Sequence, residues 1–124
     1  MQYEELTSQV SVSGQITVED VQKFKDDGVE LLVCNRPDDE DVGQTPHGEV
    51  ELEAIRLGLP FKLLAFSSYQ ITAEDRDQFV KLIETRKRIH CYCRSGSRSR
   101  RLWREANSLV GGEEQYQKAC QKDL

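Results

Sequence analysis

The chain has 124 residues, 37% hydrophobic and 31% charged, which suits one domain with a modest core and is far from a disordered composition. A formal net charge of −5 argues against the broadly basic surface of a nucleic-acid binder. No stretch approaches the ~18 apolar residues of a membrane span, and the acidic start Met1-Gln2-Tyr3-Glu4-Glu5 lacks the apolar run of a signal peptide. The expected location is therefore cytoplasmic, with Cys34, Cys91, Cys93 and Cys120 kept as thiols.

Strand and helix signals alternate along the chain. Residues 10–12 read as a short strand that ends in a turn at Ser13-Gly14. Thr17 opens a helix, with Asp20 three residues on as its capping partner and Val18, Val21 and Phe24 as the apolar stripe. Gly28 ends it, and residues 29–34 form an apolar strand followed by the polar loop of residues 35–39. Residues 49–57 read as a helix with Val50, Ala54 and Leu57 on one face, and residues 61–66 as the next strand. Thr72 with Asp75 caps a helix that buries Phe79, Leu82 and Ile83. Residues 89–92 are a strand, and residues 98–110 a helix with Leu102, Ala106, Leu109 and Val110 inward. Gly111-Gly112 sets off a short polar helix over roughly residues 113–122. This order predicts an α/β fold in a single domain of residues 1–124, with its core at about 10–110 and a tail at 113–124. About four strands form a mostly parallel sheet flanked by helices. Ligands gather at the C-terminal ends of such strands, where residues 35–39, 67–70 and 93–98 emerge.

The chemistry concentrates in the last of these. A strand delivers Cys93 to the sheet edge, and Arg94, Ser95, Gly96, Ser97 and Arg98 lead into a helix. Successive amides in such a turn form a nest for an anion, and the helix N-terminus adds further donors. Gly96 permits a backbone conformation that other residues resist. Arg98 supplies a planar fork for an oxyanion, with Ser99 beside it. The same donors lower the pKa of the Cys93 thiol from ~8.5. An activated thiolate at an anion cradle is the equipment of covalent catalysis, so Cys93 is the expected nucleophile and Arg98 its anion-binding partner.

The run Cys93-Arg94-Ser95-Gly96-Ser97-Arg98-Ser99, followed by Leu102-Trp103, resembles the beta-lactamase-hydrolase-like, phosphatase-like domain family. Ser13-Gly14-Gln15, Asn35-Arg36-Pro37-Asp38, Gln44-Thr45-Pro46 and Ile71-Thr72 extend the likeness over roughly residues 10–110. The resemblance implies the fold of the dual-specificity cysteine phosphatases, in a family described both as phosphatases and as sulfurtransferases. Two departures bear on that choice. Only four residues separate Cys93 from Arg98, where the phosphatase signature has five, and Tyr92 rather than histidine precedes the cysteine. Residues 66–70, where a general acid is expected, carry no carboxylate. Loss of a positioned acid costs ~10²–10⁴-fold in rate, whereas sulfite leaves thiosulfate without a proton. The expectation is therefore a rhodanese-type sulfurtransferase on a phosphatase-like fold, with phosphoester hydrolysis as the alternative and a non-catalytic oxyanion-binding module as the third reading.

The expected partner is a small anion: thiosulfate, a persulfide or a phosphoester, with a donor or acceptor protein as a further candidate. No metal, cofactor, nucleic acid or membrane is expected. Arg36 either contacts substrate or pairs with Asp38 or Asp39, and Ser68 and Tyr69 are candidate loop contacts. Cys34 is either a redox partner of Cys93 or a small core residue. His90 is expected on the opposite face of its strand, satisfied by a backbone group. The arginines of residues 86–104 are expected to steer an anionic substrate.

Overall fold

The computed structural model describes residues 3–67 and 70–110. Ser68 and Tyr69, the tail helix expected over residues 113–122, and Cys120 lie outside the described residues. Five strands form one sheet in the order β1-β2-β5-β3-β4. They are β1 (Glu4–Glu5), β2 (Val10–Ser13), β3 (Leu31–Cys34), β4 (Phe61–Leu63) and β5 (Ile89–Tyr92). All pairings are parallel except that of β1 with β2. β1 is the strand the sequence reading missed. Two residues, both exposed, give no hydrophobic alternation to read.

Among the described residues four helices cover the sheet: α1 (Asp20–Asp26), α2 (His47–Arg56), α3 (Ala73–Glu84) and α4 (Ser97–Val110). Alternation along the strands divides the core into two clusters. Val10, Val12, Val33, Ile89 and Cys91 pack with Phe79 of α3 and with Leu102 and Ala106 of α4. Leu32, Cys34 and Tyr92 pack with Val21 and Phe24 of α1 and with Val50 and Ala54 of α2. Sheet and helices thus make a three-layer α/β fold.

Local chemistry explains most boundaries. The Thr72 hydroxyl accepts from the Asp75 amide at 3.1 Å, and the Asp75 carboxylate accepts from the Thr72 amide at 3.0 Å, completing the expected capping box. Asp20 also accepts from the Thr17 amide at 2.8 Å, but the helix proper begins at Asp20, one turn later than expected. α2 begins two residues earlier than expected, at His47. Pro46 takes the extended N-cap conformation, and the distant Asp38 carboxylate accepts from the His47 amide at 2.9 Å. Leu109, expected inward, is 59% exposed. β4 stops at Leu63, although Leu64 and Phe66 still donate to the carbonyls of Cys34 and Asn35 at 2.9 and 3.3 Å. Those two bonds draw the loop after β4 toward the loop after β3.

Candidate active site

Cys93 leaves β5 at the C-terminal edge of the parallel strands, flanked by the ends of β2 and β3. Its amide donates to the Ser13 carbonyl at 3.3 Å, and the Gln15 amide donates to the Arg94 carbonyl at 3.3 Å. The loop of residues 93–98 is therefore seated on the turn after β2. Two glycines allow that approach. Gly14 packs so close that a β-carbon there would lie 2.9 Å from the Arg94 carbonyl oxygen. Gly96 adopts φ +97°, and its α-carbon faces the Ser13 carbonyl. A cavity of about 280 Å³ opens alongside, lined in part by Ser13, Gly14, Ser95, Gly96 and Arg100.

The Cys93 sulfur lies at the floor of the loop and accepts from the Gly96 amide at 3.1 Å. Burial by itself pushes the thiol pKa up. The amide and hydroxyl of Ser99 and the amides of Gly96 and Ser95 outweigh it, and the net shift is downward. The Ser99 hydroxyl has one proton and two claimants. It also donates to Asn35 Oδ1 at 2.8 Å, and the Asn35 amide nitrogen donates to the Leu64 carbonyl at 2.8 Å, which fixes how Asn35 is turned.

Cys34 and Cys91 are different. Both are buried, and desolvation raises both thiols. Cys34 packs in the cluster under α1 and α2, and its thiol donates to the Arg36 carbonyl at 3.2 Å. That placement is the one a small core residue takes.

Arg98 occupies the first turn of α4 with its guanidinium almost buried. Nη1 and Nη2 grip the carboxylate of Glu40 at 2.8 and 2.7 Å, and Nη1 also reaches the Phe66 carbonyl at 3.1 Å. Arg36, 3% exposed, is a second buried guanidinium. It donates to Glu40 at 2.9 Å, to Asp41 at 2.7 Å and to Gln15 Oε1 at 3.0 Å. The expected pairing of Arg36 with Asp38 or Asp39 is thus corrected: the partners lie four and five residues on. Asp38 is spent on capping α2, and Asp39 takes the left-handed φ of 65° that turns the chain. Arg94 reaches the same turn, 3.1 Å from Asp41. The Ser95 and Ser97 hydroxyls lie 3.0 Å apart on the outer side of the loop.

His90 does occupy the opposite face of β5, stacked on Phe24 at 4.0 Å, but serine hydroxyls rather than a backbone group satisfy it. Ser13 Oγ donates to the Gly14 carbonyl at 2.9 Å, so at 2.8 Å it accepts from His90 Nε2. Nδ1 then accepts from Ser11 Oγ, also at 2.8 Å. Burial pushes the imidazole pKa down to about 3, which keeps the ring neutral beneath the turn that seats the loop.

The residue the sequence reading missed is Glu40. An acidic run, Asp38-Asp39-Glu40-Asp41, reads as a solvated loop. The usable signal was Arg36, an arginine that a strand end buries and that needs a carboxylate within a turn or two.

The sequence profile supplies the family. The chain belongs to the beta-lactamase hydrolase-like protein, phosphatase-like domain family, whose profile matches residues 2–110. No curated protein matches the chain. Among solved structures, a candidate phosphatase from Neisseria meningitidis is 27% identical with a TM-score of 0.75, over 85% of this chain and 77% of that one. A candidate phosphatase from Shewanella putrefaciens shares the fold at 14% identity and a TM-score of 0.77, over 98% and 82%. The core catalytic domain of a PP-IP phosphatase from S. cerevisiae, in complex with citrate, shares it at 10% identity and a TM-score of 0.58, over 76% and 56%. The family and these structures bear phosphatase names, which reverses the expected order of sulfur transfer before phosphoester hydrolysis. Among the described residues no helix is long and apolar enough to cross a membrane.

Proposed function

We propose that this phosphatase-like domain is a cysteine-dependent phosphoester hydrolase. The observation that carries the reading is the Cys93 thiol, shifted downward in spite of burial by the amides of a loop that runs directly into Arg98 on α4. The thiolate attacks phosphorus, the P–O bond to the leaving group breaks, and a phosphocysteine forms on Cys93. Water then cleaves the P–S bond, releasing phosphate and regenerating the thiol. The loop amides and the Arg98 guanidinium stabilise the charge on the non-bridging oxygens. Glu40 is held far from acid function by two arginines, and residues 66–70 contain no carboxylate. Aryl phosphates, whose oxygen leaves with little need of a proton, are therefore the favoured substrate class.

The spacing of Cys93 and Arg98 favours one second reading, transfer of a sulfane sulfur from thiosulfate through a Cys93 persulfide. One experiment separates the two. The protein is incubated with p-nitrophenyl phosphate and, separately, with thiosulfate, and Cys93 is followed by intact mass. Phosphate release that Cys93→Ser abolishes is the expected result. A stable persulfide with no phosphate release would replace hydrolysis by sulfur transfer. Neither activity, together with an ordinary thiol pKa for Cys93, would leave an oxyanion-binding module.

A further inference from the structure

Glu40 sits where a free solvent-facing carboxylate would be unremarkable, yet it is clamped by two nearly buried arginines. Oε1 accepts from Arg36 Nε at 2.9 Å and from Arg98 Nη2 at 2.7 Å, while Oε2 accepts from Arg98 Nη1 at 2.8 Å. We propose that Glu40 is the positioning residue of the anion site: it fixes the Arg98 guanidinium in its binding pose, from a turn that Arg36 anchors, and stays in place when an oxyanion binds. The inference rests on the proposed anion-binding role of the loop, whichever group the loop transfers.

Two observations favour a fixed strut over a lid that the substrate pushes aside. The first is the anchoring of the turn itself. The Gln44 side chain accepts from the Glu40 amide at 3.0 Å and donates to the Pro37 carbonyl at 2.9 Å, closing the turn on itself. The second is the cost of leaving. Displacing Glu40 leaves Arg36 Nε without its acceptor, and a nearly buried donor that loses its partner is unfavourable even though Asp41 still balances the Arg36 charge. Arg36 is further tied to Asp41 within the same turn and to Gln15, so the turn is joined to the loop that follows β2. Both carboxylate oxygens are charge-assisted acceptors, and their pull holds the Glu40 pKa down at about 2. The carboxylate is thus charged near neutral pH.

Arg98 is the cradle's cation, and a long flexible side chain loses much of its entropy when it binds an anion. A guanidinium already held by Glu40 and the Phe66 carbonyl has lost that freedom during folding. Cys93 is served by different groups, the donors of Ser95, Gly96 and Ser99. Anion affinity and thiolate stability are therefore separable by substitution at Glu40.

The test uses inorganic tungstate as the oxyanion probe, bound to the full chain and measured by calorimetry. In parallel, the Cys93 thiolate is titrated by its ultraviolet absorbance, with Cys93→Ser subtracted. Glu40→Gln is expected to weaken tungstate about tenfold, as befits loss of a charge-assisted contact, and to leave the thiolate titration where it was. Glu40→Asp, which keeps the charge on a shorter arm, is expected to fall between the two and serves if the glutamine variant does not fold. Tighter or unchanged tungstate binding would overturn the proposal in favour of a competing lid or a bystander. A thiolate titration displaced together with the affinity would reduce Glu40 to general support of the loop, and wild-type protein that ignores tungstate would remove the basis of the idea. Failure of phosphate release alone bears on the hydrolase reading and leaves this test intact.

Discussion

Ser99→Ala isolates the chemistry of the nucleophile. The Ser99 hydroxyl and amide both lower the Cys93 pKa against the pull of burial, and the substitution removes only the hydroxyl. A hydrogen bond to a charged group contributes ~1.5–3 kcal/mol, and one pKa unit corresponds to about 1.4 kcal/mol. The Cys93 pKa should therefore rise by about one unit or somewhat more. The thiolate absorbance, titrated with Cys93→Ser as the blank, reads the shift directly and needs no substrate. Cys34 and Cys91 do not interfere, because burial pushes both thiols up. The same variant also leaves the buried Asn35 Oδ1 without its donor, so stability should fall by ~1–3 kcal/mol. An unmoved or lowered Cys93 pKa would mean that the Ser99 proton stays with Asn35 in both states, and the account of thiolate stabilisation by the hydroxyl would fail.

Other substitutions probe the surroundings. Gly14→Ala forces a β-carbon to 2.9 Å from the Arg94 carbonyl oxygen, so the loop of residues 93–98 must shift; stability should drop by ~1–3 kcal/mol and Cys93 reactivity with it, checked by thermal melts beside the thiolate titration. His90 has a folded pKa near 3, depressed from an ordinary value of 6.5, so its contribution to stability is complete above pH 6.5 and is lost as pH falls toward 3. Over that window one extra proton in the unfolded state costs ~1.4 kcal/mol per pH unit, and His90→Gln should flatten the wild-type slope in denaturant unfolding by that amount; equal slopes refute it. Glu40 has the opposite chemistry with a similar acid limit: its lowered pKa stabilises the fold above about pH 4.5, an advantage over Glu40→Gln that should vanish as pH falls to about 2. Mild peroxide should modify Cys93 and leave Cys34 a thiol, and peptide mapping that found a Cys34–Cys93 linkage would instead make Cys34 its redox partner.

The order of the elements from β2 onward, the two-sided sheet and the candidate loop around Cys93 were legible in the sequence, because these rest on short-range patterns. Short, mostly apolar runs mark strands at residues 29–34 and 89–92, Thr72 and Asp75 meet three residues apart, and a cysteine, a glycine and an arginine lie within six positions. Periodicity carried no information about β1, which is two exposed residues held only by pairing with β2. The start of α2 depends on Asp38, nine residues upstream of the amide it caps. Only the tertiary structure decided what surrounds Cys93 and Arg98. Parallel strands bring their C-terminal ends to one edge, and there Gly14, Asn35, Glu40 and Phe66, distant along the chain, meet the loop. A carboxylate in an acidic surface run looks like any other until the fold buries two arginines against it, and that burial is a property of the assembled edge rather than of any segment.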